Sequence, residues 1–183
     1  MNHQQTNTTN TNKMDKLFFY SKSANKYPGK GVNEYVVDEK IYKELNEIKD
    51  WRKILSNLHN HEFVFEEKTY NSVEHAFQAK KIEMVDETKA HWFCKNSNNI
   101  IGMSDGLIAR KNRKIVILSS VDLMKWNNVK KKTLHEILLA KFTQISIAKQ
   151  ALLLTRDATL LHGTRGTPIH RQYELEEVRN LIK

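Results

Sequence analysis

One cysteine, two prolines, six glycines and no long apolar run constrain this 183-residue chain before any motif is read. A lone Cys94 excludes an intramolecular disulfide, so the fold is not a small scaffold stapled for an oxidising compartment. Apolar stretches such as Ala151 to Leu154 are far too short to cross a bilayer, and no membrane partner is expected. The start shows no charged n-region followed by an apolar h-region, so no signal peptide is expected and the protein reads as cytoplasmic. Scarce glycine leaves little material for a phosphate loop. The PGKG stretch from Pro28 to Gly31 lacks the Ser or Thr that follows the lysine of a Walker A motif. It reads as a turn, with a backbone nest for an anion as the alternative. His59 with His61, and His91 with Cys94, are isolated pairs, short of the four ligands of a structural zinc. No metal or cofactor is expected.

Acidic residues are also in deficit, 21 against 30 Lys and Arg, which gives a formal charge of +9. Lys111, Arg113 and Lys114, then Lys130, Lys131 and Lys132, form the densest clusters. Such a field attracts phosphates, nucleic acid or anionic surfaces; a solvated basic surface is the plain alternative. No helix-turn-helix, zinc-finger or RNA-recognition signature is present.

The Asn/Thr/Gln-rich residues 1–15 read as a disordered tail that buries too little surface to offset its ordering entropy. Residues 16–183 read as one domain. Strands are expected near Leu17 to Tyr20, Phe63 to Phe65 and Lys114 to Leu118. Helices are expected after Asp38, at Trp51 to Leu55, from Asn71, from Asp86 to Cys94, and from Asn98 or Asn99 to Ala109. A long helix is expected from about Lys132 to Leu153, preceded by Trp126, and a last one from Arg171 to Ile182. With no internal repeat and no βαβ alternation, the fold class is α+β: a helix-rich single domain with a few short strands.

The stretch NSVEHAFQAKK, Asn71 to Lys81, carries the chemistry. Glu74, Gln78 and Lys81 are spaced i, i+4, i+7 and share a wedge of roughly 60° on a helix. Val73, Ala76 and Phe77 form the adjoining apolar stripe that anchors it. A carboxylate, an amide and an amine on one rigid element suit a polar, nitrogen-bearing substrate. Two plain alternatives stand beside this: Asn71 and Glu74 as a capping box, and Lys81 as a surface lysine or ion-pair partner. The LLHGTRG stretch (Leu160 to Gly166) has the look of the His-Gly-Thr strand of ADP-ribosyltransferases. Only 17 residues follow Gly166, and they read as a helix, not as the strands that fold requires.

LFFYSKSANKYPGKGVNE, WRKILSN, NSVEHAFQAKK, the Trp126 region, AKFTQ, LLLTRDATLLHGTRGTP and LEEVR, in that order, resemble the NADAR (YbiA-like) family. The likeness runs from about Leu17 to the C-terminus, with EHAFQAKK its best single element. The resemblance implies a small helix-rich α+β domain and an N-glycosidase. The implied substrates are phosphorylated ribosylamino-pyrimidines, the early riboflavin-pathway intermediates, or ADP-ribosylated guanine in nucleic acid. A non-catalytic module for ADP-ribose or NAD is a further alternative. The resemblance places a Schiff-base lysine on Lys81 and its acidic partner on Glu74, with Ser56, Asn57 and Trp126 in the pocket; Gln78, on the same helix face, is expected to bind substrate beside them, and Arg165 of the HGTRGTP stretch to contact a phosphate. One departure is visible: where bacterial members carry an Asp and a Trp-Gly element, this chain has HGTRGTP.

Overall fold

A computed structural model describes residues 14–164 and 166–183. The expected tail, residues 1–15, lies outside the described residues apart from Met14 and Asp15. Asp15 accepts from the Val37 N–H and the Tyr42 hydroxyl, both at 2.8 Å.

The order along the chain is β1 (Lys16–Phe19), a 3₁₀ turn (Glu39–Tyr42) running into α1 (Lys43–Glu47), α2 (Trp51–Ile54), and the hairpin β2 (Phe63–Phe65) and β3 (Lys68–Tyr70). Then come α3 (Val73–Glu83), α4 (Glu87–His91), a 3₁₀ turn (Lys95–Ser97), α5 (Ile100–Met103) and α6 (Gly106–Lys111). The long α7 (Ser120–Gln144), α8 (Ser146–Leu154), β4 (Thr159–His162), β5 (His170–Arg171) and α9 (Tyr173–Leu181) complete it. This is a helix-rich α+β domain. Among the described residues no single helix is long and apolar enough to cross a membrane.

At the centre lies α3, packed against α4, α6 and α7 through buried Val73, Ala76, Ala79 and Ile82. The capping-box expectation is corrected here. Ser72 is the N-cap and accepts from the His75 N–H, while Asn71 turns away and donates to the carbonyls of Gly102 and Ser104. Glu74 is therefore released from capping duty. Two other expectations change. Lys114 to Leu118 forms no strand, and Ile117 is 94% exposed, because no sheet edge is there to pair with it. The long helix starts at Ser120 and contains Trp126 instead of following it; Ser119 and Asp122 form its capping box.

That helix also breaks at Ile145, where α8 departs at 108°. Neither Gly nor Pro marks the break. The Gln144 side chain fixes it, accepting from the Val64 N–H (2.9 Å) and donating to the Val64 carbonyl (2.7 Å), so it occupies the open edge of β2.

β1 pairs in parallel with β4, Lys16 opposite Thr159 through Phe19 opposite His162, and β5 pairs antiparallel with β4. Glu176 of α9 ties this sheet down by accepting from the Leu160 N–H and from the Arg171 guanidinium.

The PGKG loop does form a nest, but its anion is internal. The N–H groups of Gly29 and Gly31 donate to Glu34, at 2.9 and 2.8 Å. The same buried carboxylate accepts from the Phe18 N–H and from Arg52 through both Nε and Nη2.

Candidate active site

Because Ser72 caps α3, Glu74 falls in the first helical turn, and its N–H donates to the Asn57 carbonyl at 2.9 Å. Its side chain accepts from Gln78 Nε2 at 2.8 Å, one turn on. That bond orients the amide, leaving Gln78 Oε1 buried and without a partner. Burial pushes the Glu74 carboxyl up from the usual range, against the Gln78 bond and the charges of Arg110, Arg113 and Lys81.

Glu74 and Gln78 line a cleft of about 600 Å³. Ser56 and Asn57 line it too, held by an unusual support. Lys141 of α7, only 1% exposed, donates to the carbonyls of Ile54 (2.7 Å) and Ser56 (3.2 Å) at the end of α2. Its burial lowers the amine pKa to about 7. Gly106 lets α6 lie directly on the same loop, since a Cβ there would strike the Leu58 backbone. This close approach brings Arg110 and Arg113 to the rim. Lys131 of α7 and Arg171 of β5 supply further cations, and His162 and His170 face the cleft from the sheet. Arg171 is neutralised by Glu176, whereas Arg110, Arg113 and Lys131 form no ion pair among the described residues.

Lys81 stands beside the cleft, not on its wall. Its Nζ donates to the Arg113 carbonyl at 3.3 Å, and Arg113 itself is a wall residue. Burial first, then the charge of Arg113 and that of Lys114, lower the Lys81 pKa, while Glu74 opposes them. Lys81 is half-buried and does not project freely into solvent. Trp126 is placed elsewhere. It is buried against Phe77, ring centroids 5.0 Å apart, and faces a separate hollow with Lys80, Glu83 and Met84. Arg165 lies outside the described residues.

The structure thus brings together Glu74, Gln78, Ser56 and Asn57, keeps Lys81 adjacent, and sets Trp126 apart. Arg110, His162, His170 and Arg171 were not singled out by sequence reasoning. Arg113 and Lys131 sat within the basic clusters, and His162 within the LLHGTRG stretch, so part of the signal was present. Arg110 was marked by nothing local. Among the described residues no group of three or more His, Cys, Asp or Glu side chains is placed to hold a metal ion. His75 is a core histidine: Nδ1 meets the Ser72 hydroxyl at 2.8 Å and Nε2 meets the Ile101 carbonyl at 3.0 Å.

Comparison with known proteins adds two findings. Residues 35–167 match the family model described as the NADAR domain. The fold is similar to the solution structure of the Escherichia coli protein YbiA, with a TM-score of 0.57 and 23% identity over 74% of this chain and 80% of that one. No curated protein matches the sequence.

Proposed function

The chain belongs to the NADAR family, whose members are generally N-glycosidases, and we propose that it hydrolyses the N-glycosidic bond of phosphorylated ribosylamines. The observation that carries this reading is a half-buried acid, Glu74, held by Gln78 in a cleft rimmed by three cations that form no ion pair among the described residues. About 600 Å³ is within the usual range for small-ligand sites. Arg110, Arg113 and Lys131 would bind the 5′-phosphate, the role assigned from sequence to Arg165. Buried Gln78 Oε1 would accept from a hydroxyl or amine of the substrate.

A ribose joined through an exocyclic N–H can open to an imine at C1′; an ordinary nucleoside cannot. Glu74, its pKa raised by burial, would donate a proton to the departing amine. Lys81 would exchange the Arg113 carbonyl for the substrate and attack C1′ with its lone pair. The C1′–N bond to the base then breaks, leaving Lys81 as an iminium that water cleaves. Desolvation and two neighbouring cations raise the neutral fraction of that amine, which nucleophilic lysines require.

A second reading, removal of ADP-ribose from guanine in nucleic acid, is favoured by exposed Lys111, Lys114 and Lys132. A parallel assay separates the two. A ribosylamino-pyrimidine phosphate and an ADP-ribosyl-guanine oligonucleotide are incubated with the protein, and free sugar phosphate and ADP-ribose are measured. Release from the first, blocked by Lys81→Ala, is expected. Release from the oligonucleotide alone would favour the second reading, and tight binding without product would reduce the protein to a binding module.

A further inference from the structure

The cleft holds one more titratable group that the steps above do not use. His162 ends β4, where its backbone pairs with Phe19 on one side and His170 on the other. Its ring stands edge-on to Phe19, centroids 5.5 Å apart, and to His170, centroids 5.6 Å apart. Packing therefore fixes the ring, yet among the described residues neither of its nitrogens hydrogen bonds to protein. His170 differs, because its Nδ1 meets the Pro168 carbonyl at 3.3 Å. An imidazole that is held in place but unpartnered on a cleft wall has its lone pair available to whatever enters.

The charged neighbours agree on its state. Arg110 approaches from α6, His170 from β5, and Lys131 of α7 lies on the same cleft. Burial, then His170, then Arg110, hold the His162 pKa down at about 4, so the ring is neutral at pH 7. Burial moves Glu74 on the same cleft the opposite way. Burial thus favours the proton-bearing form of the carboxyl and the proton-free form of the imidazole, the forms an acid and a base need.

We propose that His162 is the general base that activates the hydrolytic water. The assignment rests on the N-glycosidase reading and deepens it. Water forms an O–C1′ bond to the Lys81 iminium, its proton passes to the His162 nitrogen, and the C=N electron pair moves onto Nζ. The imidazolium then returns the proton to Nζ. The C1′–N bond breaks towards nitrogen, the hydroxyl proton returns to His162, and the sugar leaves as an aldehyde.

The test is single turnover of a ribosylamino-pyrimidine phosphate with borohydride quenching, on wild type, His162→Ala and His162→Gln. Thermal melts confirm that both variants fold. The expected result is a sugar adduct that is transient in the wild type and persistent in both variants. Turnover should fall about 10²–10³-fold, and added imidazole should restore part of it in His162→Ala alone. Clearance of the adduct at the wild-type rate in both variants overturns the assignment and leaves the Lys81 step standing. If the wild type turns over without an adduct, the lysine step fails, and His162 is then judged by imidazole: rescue supports it and no rescue overturns it. A wild type inactive on both substrate classes overturns both.

Discussion

Two carboxylates divide this molecule, one fully enclosed and one half-buried beside a cleft. Glu34 sits under the PGKG loop and receives three backbone N–H groups and a two-pronged Arg52. Glu74 lies on α3 and receives one side-chain bond, from Gln78, whose own oxygen has no partner. Around Glu34 every charge is answered from within, so the group sets the course of a loop. Around Glu74 one side-chain donor is present, and Arg110, Arg113 and Lys131 nearby form no ion pair among the described residues, as the proposed ligand-binding role requires. Burial alone does not mark a catalytic acid; incomplete satisfaction beside a cleft is the feature that supports the proposed role of Glu74.

That contrast breaks most sharply at the cleft. Glu74→Gln should lower kcat by about 10²–10⁴-fold, the range for a lost general acid, with little change in Tm. A variant that keeps its activity and melts lower would move Glu74 into the structural class. The reverse pattern is expected at the loop. Arg52→Met strands the Glu34 charge and should cost about 3–5 kcal/mol in chemical denaturation, with the folded fraction still active at low temperature. Next in size, Arg110→Gln and Lys131→Gln should each raise KM about tenfold for the phosphorylated substrate. They should leave the dephosphorylated substrate unchanged; equal losses on both would remove the phosphate assignment.

A separate effect, on stability alone, concerns Lys141, a buried amine with carbonyl partners only. Its folded pKa is lowered from 10.5 to about 7, so between these values the unfolded chain binds the extra proton. Stability should therefore rise with pH above about 7 and towards 10. Melts from pH 7 to 9 should show a steeper rise for wild type than for Lys141→Met. Parallel slopes would mean that the amine remains charged in the fold.

Much of the fold was legible from residues. The α3 stripe and the strand at Phe63 to Phe65 follow from periodicity and local propensity, whereas its antiparallel partner Lys68–Tyr70 was not expected. Where reading failed, the deciding contact was remote. Asn71 and Ser72 are both good caps, and Ser72 takes the place only because Asn71 is occupied by Gly102 and Ser104. The apolar run at Lys114 to Leu118 has the composition of a strand but no partner edge. The break at Ile145 depends on Gln144 finding β2 across the molecule. The site divides similarly. Glu74 and Gln78 were visible because they share a helix face, whereas Arg110 reaches the cleft only through the contact of Gly106 with Leu58.

The parallel pairing of Lys16–Phe19 with Thr159–His162 has a further consequence, in the order of synthesis. A ribosome that has finished α3 has made the acid and the amide, but the wall bearing His162 is still untranslated. The first strand can bridge early to Tyr35 and Glu34, but its parallel partner β4 emerges far later in the chain, a long-range closure that is intrinsically slow. A truncation that removes α9 and its Glu176 should leave most helices intact while the cleft wall carrying His162 and Arg171 loses its tie.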